Sequence, residues 1–478
     1  MSDVLLPARA PARLRRPRPG GGWHRAVWRW HFFASFLVVP ILLVLATTGL
    51  IYLFRFQLEP MLHPALMRVE QQPHTIAQPF STQVGIVESA YPGSTAVSMT
   101  EPRDQHSPTV VSIVTASGRA RDVYVDPYVP EVLGSLDPDR TLSGTAIRIH
   151  RDLMAGKWGD HVIEVGVCWA VVMALTGYYL FVRGWRARRR ARRSKGSGAR
   201  LRSRHALVGA FAGIGLLTLL VTGLPWTGFW GAHVQSLATK HGSSMWSMDP
   251  GAISNPTSTL DESLPHSHTQ DVPWALGDTE VPSSQPPSGG TGAGEHNVAS
   301  VDTALTVADQ AGLRHPMTVA LPSGDDPKGV YSVIGYAFDA PSDERTVHID
   351  RYGGQVVSTY GYADYPLLAK VVSQGIGLHE GRSLGLWSFW ASTLMCVGII
   401  VMCVTGPLMW WRRRPRGAGR IGAPRGRMPI RRTPALAVLL VALGVFLPLL
   451  GVSLVAVLLL DQLVLRRVPA LTRWFDAG

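Results

Sequence analysis

Five long apolar runs set what this chain can fold into: Phe32–Phe54, Val162–Val182, Ala206–Phe229, Trp387–Trp411 and Ala435–Leu460. They are 21 to 26 residues long. A helix rising about 1.5 Å per residue needs about 20 apolar residues to cross a hydrocarbon core of about 30 Å. Helices buried in soluble proteins seldom reach that length, so the pattern predicts a polytopic α-helical membrane protein with five transmembrane helices. The first run is too long for the apolar stretch of a signal peptide, and no small-residue cleavage site follows it, so it reads as an uncleaved span.

A net charge of +13 would suggest a nucleic-acid partner if it were spread over the chain, but it is not. Residues 1–30 hold seven Arg, 183–204 hold eleven Lys or Arg, and 412–432 hold nine, with Asp3 the single acid among them. The segment from Arg55 to Asp160 carries nine basic and twelve acidic residues. Basic loops alternating with mixed-charge segments follow the positive-inside rule, which makes the charge topological and leaves no nucleic-acid partner to explain. The lipid bilayer is the partner implied. The N-terminus is then cytoplasmic and the two large segments are external. The C-terminal tail would also lie outside, where Arg466, Arg467 and Arg473 fit the rule poorly. The three cysteines, Cys168, Cys396 and Cys403, all fall inside apolar runs, so the external segments carry no disulfide. No Cys-x-x-Cys-His occurs, so covalent c-type haem is excluded.

The chain also reads as a tandem repeat. His31 precedes Thr48-Gly49 by the same 16 intervening residues that separate His205 from Thr222-Gly223. Thr176-Gly177 and Thr405-Gly406 follow His150 and His379, each 26 residues on. Gly156 and Trp158 stand after His150 at the offsets of Gly385 and Trp387 after His379. Val123–Val132 aligns without a gap to Val347–Val356, and the alternation ending in Asp126 or Asp350 predicts a strand entering a hairpin. Thr82–Ala90 and Val301–Gly312 look helical and Val110–Val114 looks like a strand, so each external segment is expected to be a small α+β domain with its own antiparallel sheet. Asp249–Ala299, rich in Pro, Ser, Gly and Thr, reads as a linker.

Paired spans bearing His and Thr-Gly around small "VYVDP"-type segments resemble the PepSY-associated transmembrane family, over residues of about 24–460. Val129-Pro130 departs from the Thr-Gly usual in the first hairpin. The resemblance implies a basic N-terminal arm (1–30), spans at 31–55, 150–182, 205–229, 379–411 and 435–460, and basic loops at 183–204 and 412–432. It places two extracytoplasmic PepSY-like domains at 60–148 and 300–378, the second preceded by the 249–299 linker. It also implies a bacterial inner-membrane location and a connection with iron, since the family includes iron-regulated membrane proteins and siderophore reductases.

Ionisable side chains near a bilayer core default to functional hypotheses, and neutral histidine is the commonest protein ligand of b-type haem iron. His31 and His205 fall at the cytoplasmic ends of their spans, and His150 and His379 at the external ends. Two bis-histidine b haems are therefore expected. A helix rises roughly 25 Å from His31 to Thr48, so the Thr-Gly pairs of spans 1 and 3 should lie near the outer histidines and those of spans 2 and 4 near the inner ones. A Thr-Gly pair alone can equally serve helix packing, and an interfacial histidine can be an amphipathic anchor. His161 is an alternative to His150, which lies about 39 Å of continuous helix before Thr176.

Arg382 and Arg151, close to the outer histidines, could attract an anionic ferric chelate, or could anchor helix ends at lipid headgroups. Gly417-Ala-Gly419-Arg-Ile-Gly422 matches a dinucleotide fingerprint only formally, because no strand precedes it. His241, Met245, Met248, His266 and His268 are too irregularly spaced for a copper site to be favoured over a solvated linker. The expected function is a di-haem electron-transfer protein that reduces ferric iron or a ferric siderophore on the outer side of the membrane. The loops are too short for a flavin or nicotinamide domain, so a quinol or a separate reductase would donate electrons. The alternative is a non-enzymatic receptor or regulator whose PepSY domains bind a peptide, a protease or a cell-wall ligand.

Overall fold

The computed structural model describes residues 21–71, 75–129, 131–185, 189, 197–241, 281–285, 299–335, 340–414, 421 and 434–475. Nearly all of the expected linker, together with Met245, Met248, His266, His268, Gly417 and Gly419, lies outside them, as does Pro130. Among the described residues five helices are long and apolar enough to cross a membrane: Trp23–Leu53, Gly156–Arg183, Gly198–Trp226, Leu386–Arg413 and Pro448–Leu465. The chain forms two compact units, one of Met1–Phe36, Val172–Ala206 and Gly406–Gly478, the other of Leu37–Val171 and Leu207–Thr405.

The helices are α1 (Gly21–Leu53), α2 (Arg55–Leu62), α3 (Pro64–Met67), α4 (Phe80–Ala90), α5 (Leu142–Asp152), α6 (Gly156–Arg183), α7 (Ser197–Gly223) and α8 (Trp230–Lys240). They continue with α9 (Val301–Gln310), α10 (Leu367–His379), α11 (Leu386–Arg413), α12 (Pro434–Phe446), α13 (Pro448–Leu460) and α14 (Pro469–Trp474). The strands are β1 (Thr95–Thr100), β2 (Thr109–Val114), β3 (Ala120–Val125), β4 (Val132–Leu136), β5 (Thr318–Ala320), β6 (Val330–Ile334), β7 (Arg345–Asp350) and β8 (Val356–Gly361).

The two large segments do not make two separate sheets. All eight strands join in one antiparallel sheet of order β4-β3-β2-β1-β5-β6-β7-β8, with β1 and β5 paired at its centre. Backbone groups of β1 and β5 that would otherwise form two exposed edges thereby satisfy each other. The expected hairpins form: β3 pairs with β4 and β7 with β8, and the aligned positions Val125↔Val132 and Ile349↔Val356 close both in the same register. Alternation puts Met99, Val111, Ile113, Val123, Val319, Val333, Val347 and Ile349 in one core, which also takes Val87 of α4 and Ala304, Leu305 and Ala308 of α9. Asp302, in the first turn of α9, accepts hydrogen bonds from the Phe80 and Ser81 N–H groups and so holds the start of α4.

Two further departures from expectation concern the helices. His150 and His379 do not continue into spans 2 and 4. Helix α5 stops at Leu153, which with Met154 has positive φ, and α6 begins afresh at Gly156 (φ 57°). After α10, Gly381 (φ 73°) and Gly385 (φ 54°) likewise turn the chain before α11. The fifth apolar run is also not one helix. It breaks at Leu447 (φ −117°, ψ 85°), because Pro448 supplies no N–H and clashes with the preceding turn.

Candidate functional site

Breaking the chain before span 2 frees α5 to present His150 to another helix. Thr141 caps α5, its Oγ1 accepting from the Gly144 N–H, and Glu59 of α2 accepts from both the N–H and the Oγ of Ser143. His150 in the last turn then meets α1, with Nδ1 2.9 Å from Thr48 Oγ1. The Thr48 hydroxyl already donates to the Val44 carbonyl at 2.8 Å, so toward the ring it can only accept. The Leu45 carbonyl also bonds the ring. The accepting threonine oxygen places the hydrogen on Nδ1, which leaves Nε2 as the lone-pair nitrogen.

His379, the last residue of α10, repeats this arrangement on α7. Its Nδ1 is 3.2 Å from Thr222 Oγ1, whose own proton goes to the Thr218 carbonyl, and the Leu219 carbonyl bonds the ring. The two rings stand 6.2 Å apart, centroid to centroid, at 84°. Trp226 packs on His379 at 5.6 Å. Burial, and then the charge of His379, pull His150 down to about 4, and burial lowers His379 too, so both are neutral near pH 7.

The other compact unit holds the second pair. His31 of α1 puts Nδ1 3.0 Å from the Met173 carbonyl and 3.2 Å from Thr176 Oγ1, and the Thr176 hydroxyl donates to Val172 O. A carbonyl only accepts, so His31 too carries its hydrogen on Nδ1. His205 of α7 lies against Gly406, with Cε1 3.7 Å from where a Cβ would stand. The glycine beside each threonine explains how the rings come so close. A methyl group on Gly177 would sit 3.2 Å from His31 Cε1, and one on Gly223 3.2 Å from His379 Cε1. At Gly49 the distance to His150 Cε1 is 3.6 Å.

These residues fit axial ligation of a haem. A metal held by two imidazoles at about 2 Å each keeps the ring centres about 6 Å apart, close to the separation of His150 and His379. Each metal-binding histidine needs its second nitrogen anchored, and here threonine and backbone carbonyls do this. Among the described residues no group of three or more His, Cys, Asp or Glu is arranged to hold a metal. His150 with His379, and His31 with His205, would be the residues to hold a haem.

The remaining predicted residues lie elsewhere. His161 contacts the rings of Trp158 and Phe229, both at 6.4 Å, and belongs to neither pair. Thr405 donates to the Val401 carbonyl, as the other threonines do one turn back. Arg151 pairs with Asp152 at 3.1 Å, more than half exposed. Arg382, expected to draw in an anionic chelate, is instead buried: its side chain is 9% exposed, clamped between Glu344 at 2.9 Å and Glu380 at 2.7 Å. Glu344 also accepts from Tyr365 and Ser373, so the cluster ties α10 to the chain entering β7.

Sequence reasoning missed Glu164. This buried carboxylate inside the second apolar run accepts from the Phe229 and Trp230 N–H groups and holds the start of α8. Its signal was a lone acid in an otherwise apolar stretch. The carbonyls of Leu45, Met173 and Leu219 had no signal, because any residue three before the threonine would supply one.

A family profile described as the PepSY-associated TM region matches residues 28–413. No curated protein matches the chain significantly.

Proposed function

The chain belongs to the PepSY-associated transmembrane family, and from that premise we propose a membrane electron-transfer protein with two b-type haems that reduces ferric iron or a ferric siderophore. The reaction would take place on the outer side of the bacterial cytoplasmic membrane. The observation that carries this reading is the histidine anchoring. His31, His150 and His379 each have Nδ1 within hydrogen-bond distance of a threonine hydroxyl on a neighbouring helix, His31 also of a backbone carbonyl, with a glycine making room for the ring. Structural histidines rarely need one nitrogen fixed and the other kept as a lone pair three times over.

Haem bound by these residues would supply one-electron transfer. The protein's part is to hold neutral imidazoles, fix their tautomer and keep water from the ligand nitrogens. Helix α1 carries His31 and also Thr48, which anchors His150, so one helix contributes to both pairs. Loops 183–204 and 412–432 have no room for a flavin or nicotinamide domain, so the electrons come from a quinol or a separate reductase. Reduction weakens the hold of hard oxygen ligands on iron, which releases it for uptake.

The test is the absorption spectrum of the purified protein with and without dithionite. Two low-spin b-type signals are expected, one lost in both His31→Ala and His205→Ala, the other in both His150→Ala and His379→Ala. Within each pair the double variant should lose no more than either single one, since two ligands of one site act together. A colourless protein would refute the proposal and favour a receptor whose sheet binds a peptide, protease or cell-wall ligand.

A further inference from the structure

The apolar run from Pro434 to Leu465 has the composition of a span but the path of a hairpin. Gly444 and Gly451 lie against each other across the break at Leu447: a Cβ on Gly444 would stand 3.1 Å from Gly451 Cα, and one on Gly451 2.8 Å from the Gly444 carbonyl oxygen. Residues seven apart in a continuous helix are separated by about 10.5 Å, so the chain reverses here. Backbone hydrogen bonds continue on both sides of the reversal. Leu447 N–H donates to Leu443 O, Gly451 N–H to Leu447 O, and Pro448 has no N–H to satisfy. Helix α12 has 13 residues, about 20 Å of rise, and falls short of the hydrocarbon thickness.

The far end of this segment returns to the end of span 4. Ile421, in the loop after α11, is 5% exposed and is gripped from two sides. Its N–H donates to the Trp474 carbonyl at 2.9 Å, and its carbonyl accepts from Trp410 Nε1 at 2.8 Å. Arg29 of α1 donates to the Phe475 carbonyl at 3.3 Å, and Phe33 packs on Phe475 at 6.0 Å. Helix α14 thus sits by the basic end of α11, which closes in Arg412 and Arg413. We infer that Pro434–Leu465 is a re-entrant hairpin, that the chain crosses the membrane four times, and that its C-terminal helix lies on the face of the basic loops. Arg466, Arg467 and Arg473 then obey the charge rule that a fifth crossing would break.

The test compares single cysteines in a background without Cys168, Cys396 and Cys403, probed with an impermeant maleimide before and after permeabilisation. Ala470→Cys should label under the same condition as Ser197→Cys in the basic loop, and under the opposite condition to Ser323→Cys. Labelling of Ala470→Cys together with Ser323→Cys would overturn the inference.

Discussion

Alanine at each of the four glycines beside the histidines should separate helix stability from ligand geometry. In a helix Gly→Ala is intrinsically favourable by about 0.5–1 kcal/mol. The added methyl meets His31 at Gly177 and His379 at Gly223 at 3.2 Å, tighter than ordinary contact, so the ring must yield by a few tenths of an ångström. At Gly49 and Gly406 it meets His150 and His205 at 3.6 and 3.7 Å, which is normal packing. Overpacking of this kind costs about 1–3 kcal/mol, equivalent to a roughly 5- to 150-fold loss of occupancy at the affected site. Gly177→Ala should therefore deplete the signal assigned to His31 and His205, and Gly223→Ala the one assigned to His150 and His379. Gly49→Ala and Gly406→Ala should keep both signals. Haem-to-protein ratio and the reduced-minus-oxidised spectrum give the readout, with thermal unfolding as the control. Equal effects at all four positions, or the largest at Gly49, would refute the claim that close approach to the ring is what these glycines provide.

Other expectations follow from single contacts. Arg382→Met leaves the buried Glu344 without its cation, and should cost about 3–5 kcal/mol in an unfolding titration. Burial lowers the His315 pKa, but the hydrogen bonds and charges of Glu101 and Asp309 outweigh it and raise the pKa overall. A raised folded-state pKa stabilises fully below the free-imidazole value of about 6.5 and is lost as pH climbs through the folded value. His315→Gln should therefore lower the Tm at a pH of about 5.5 and leave it nearly unchanged at about 9. Met99→Ala, in the fully buried heart of the sheet, should cost about 2–5 kcal/mol. His161→Ala should leave both spectral signals intact, since that ring meets only Trp158 and Phe229 among the aromatic contacts described.

Span length, histidine spacing and the two hairpins were legible because each depends on local periodicity or on residues a fixed number of turns apart. The union of the two sheets was not, because β1–β5 pairing is a choice between exposed edges and carries no local signature. Placing His150 on a continuous helix put it too far from the membrane and brought His161 into consideration. The positive φ of Leu153 and Met154, at non-glycine residues, is what that reading lacked. The break at Pro448 was visible as a proline within an apolar run, but hydropathy averages over it. Arg382 was misplaced because proximity in sequence to His379 says nothing of Glu344, which arrives from 38 residues away.

The central β1–β5 seam also has a consequence for biogenesis. Thr100 and Thr318, hydrogen-bonded across it, are 218 residues apart. At about 5–20 residues per second, the first four strands wait roughly 10–40 s for their partner while two spans are threaded into the bilayer. During that interval β1 is an open edge, able to pair with any extended chain nearby. Assembly of the sheet is thus timed by insertion of the intervening helices, and a stall there leaves a sticky half-sheet exposed to quality-control proteases.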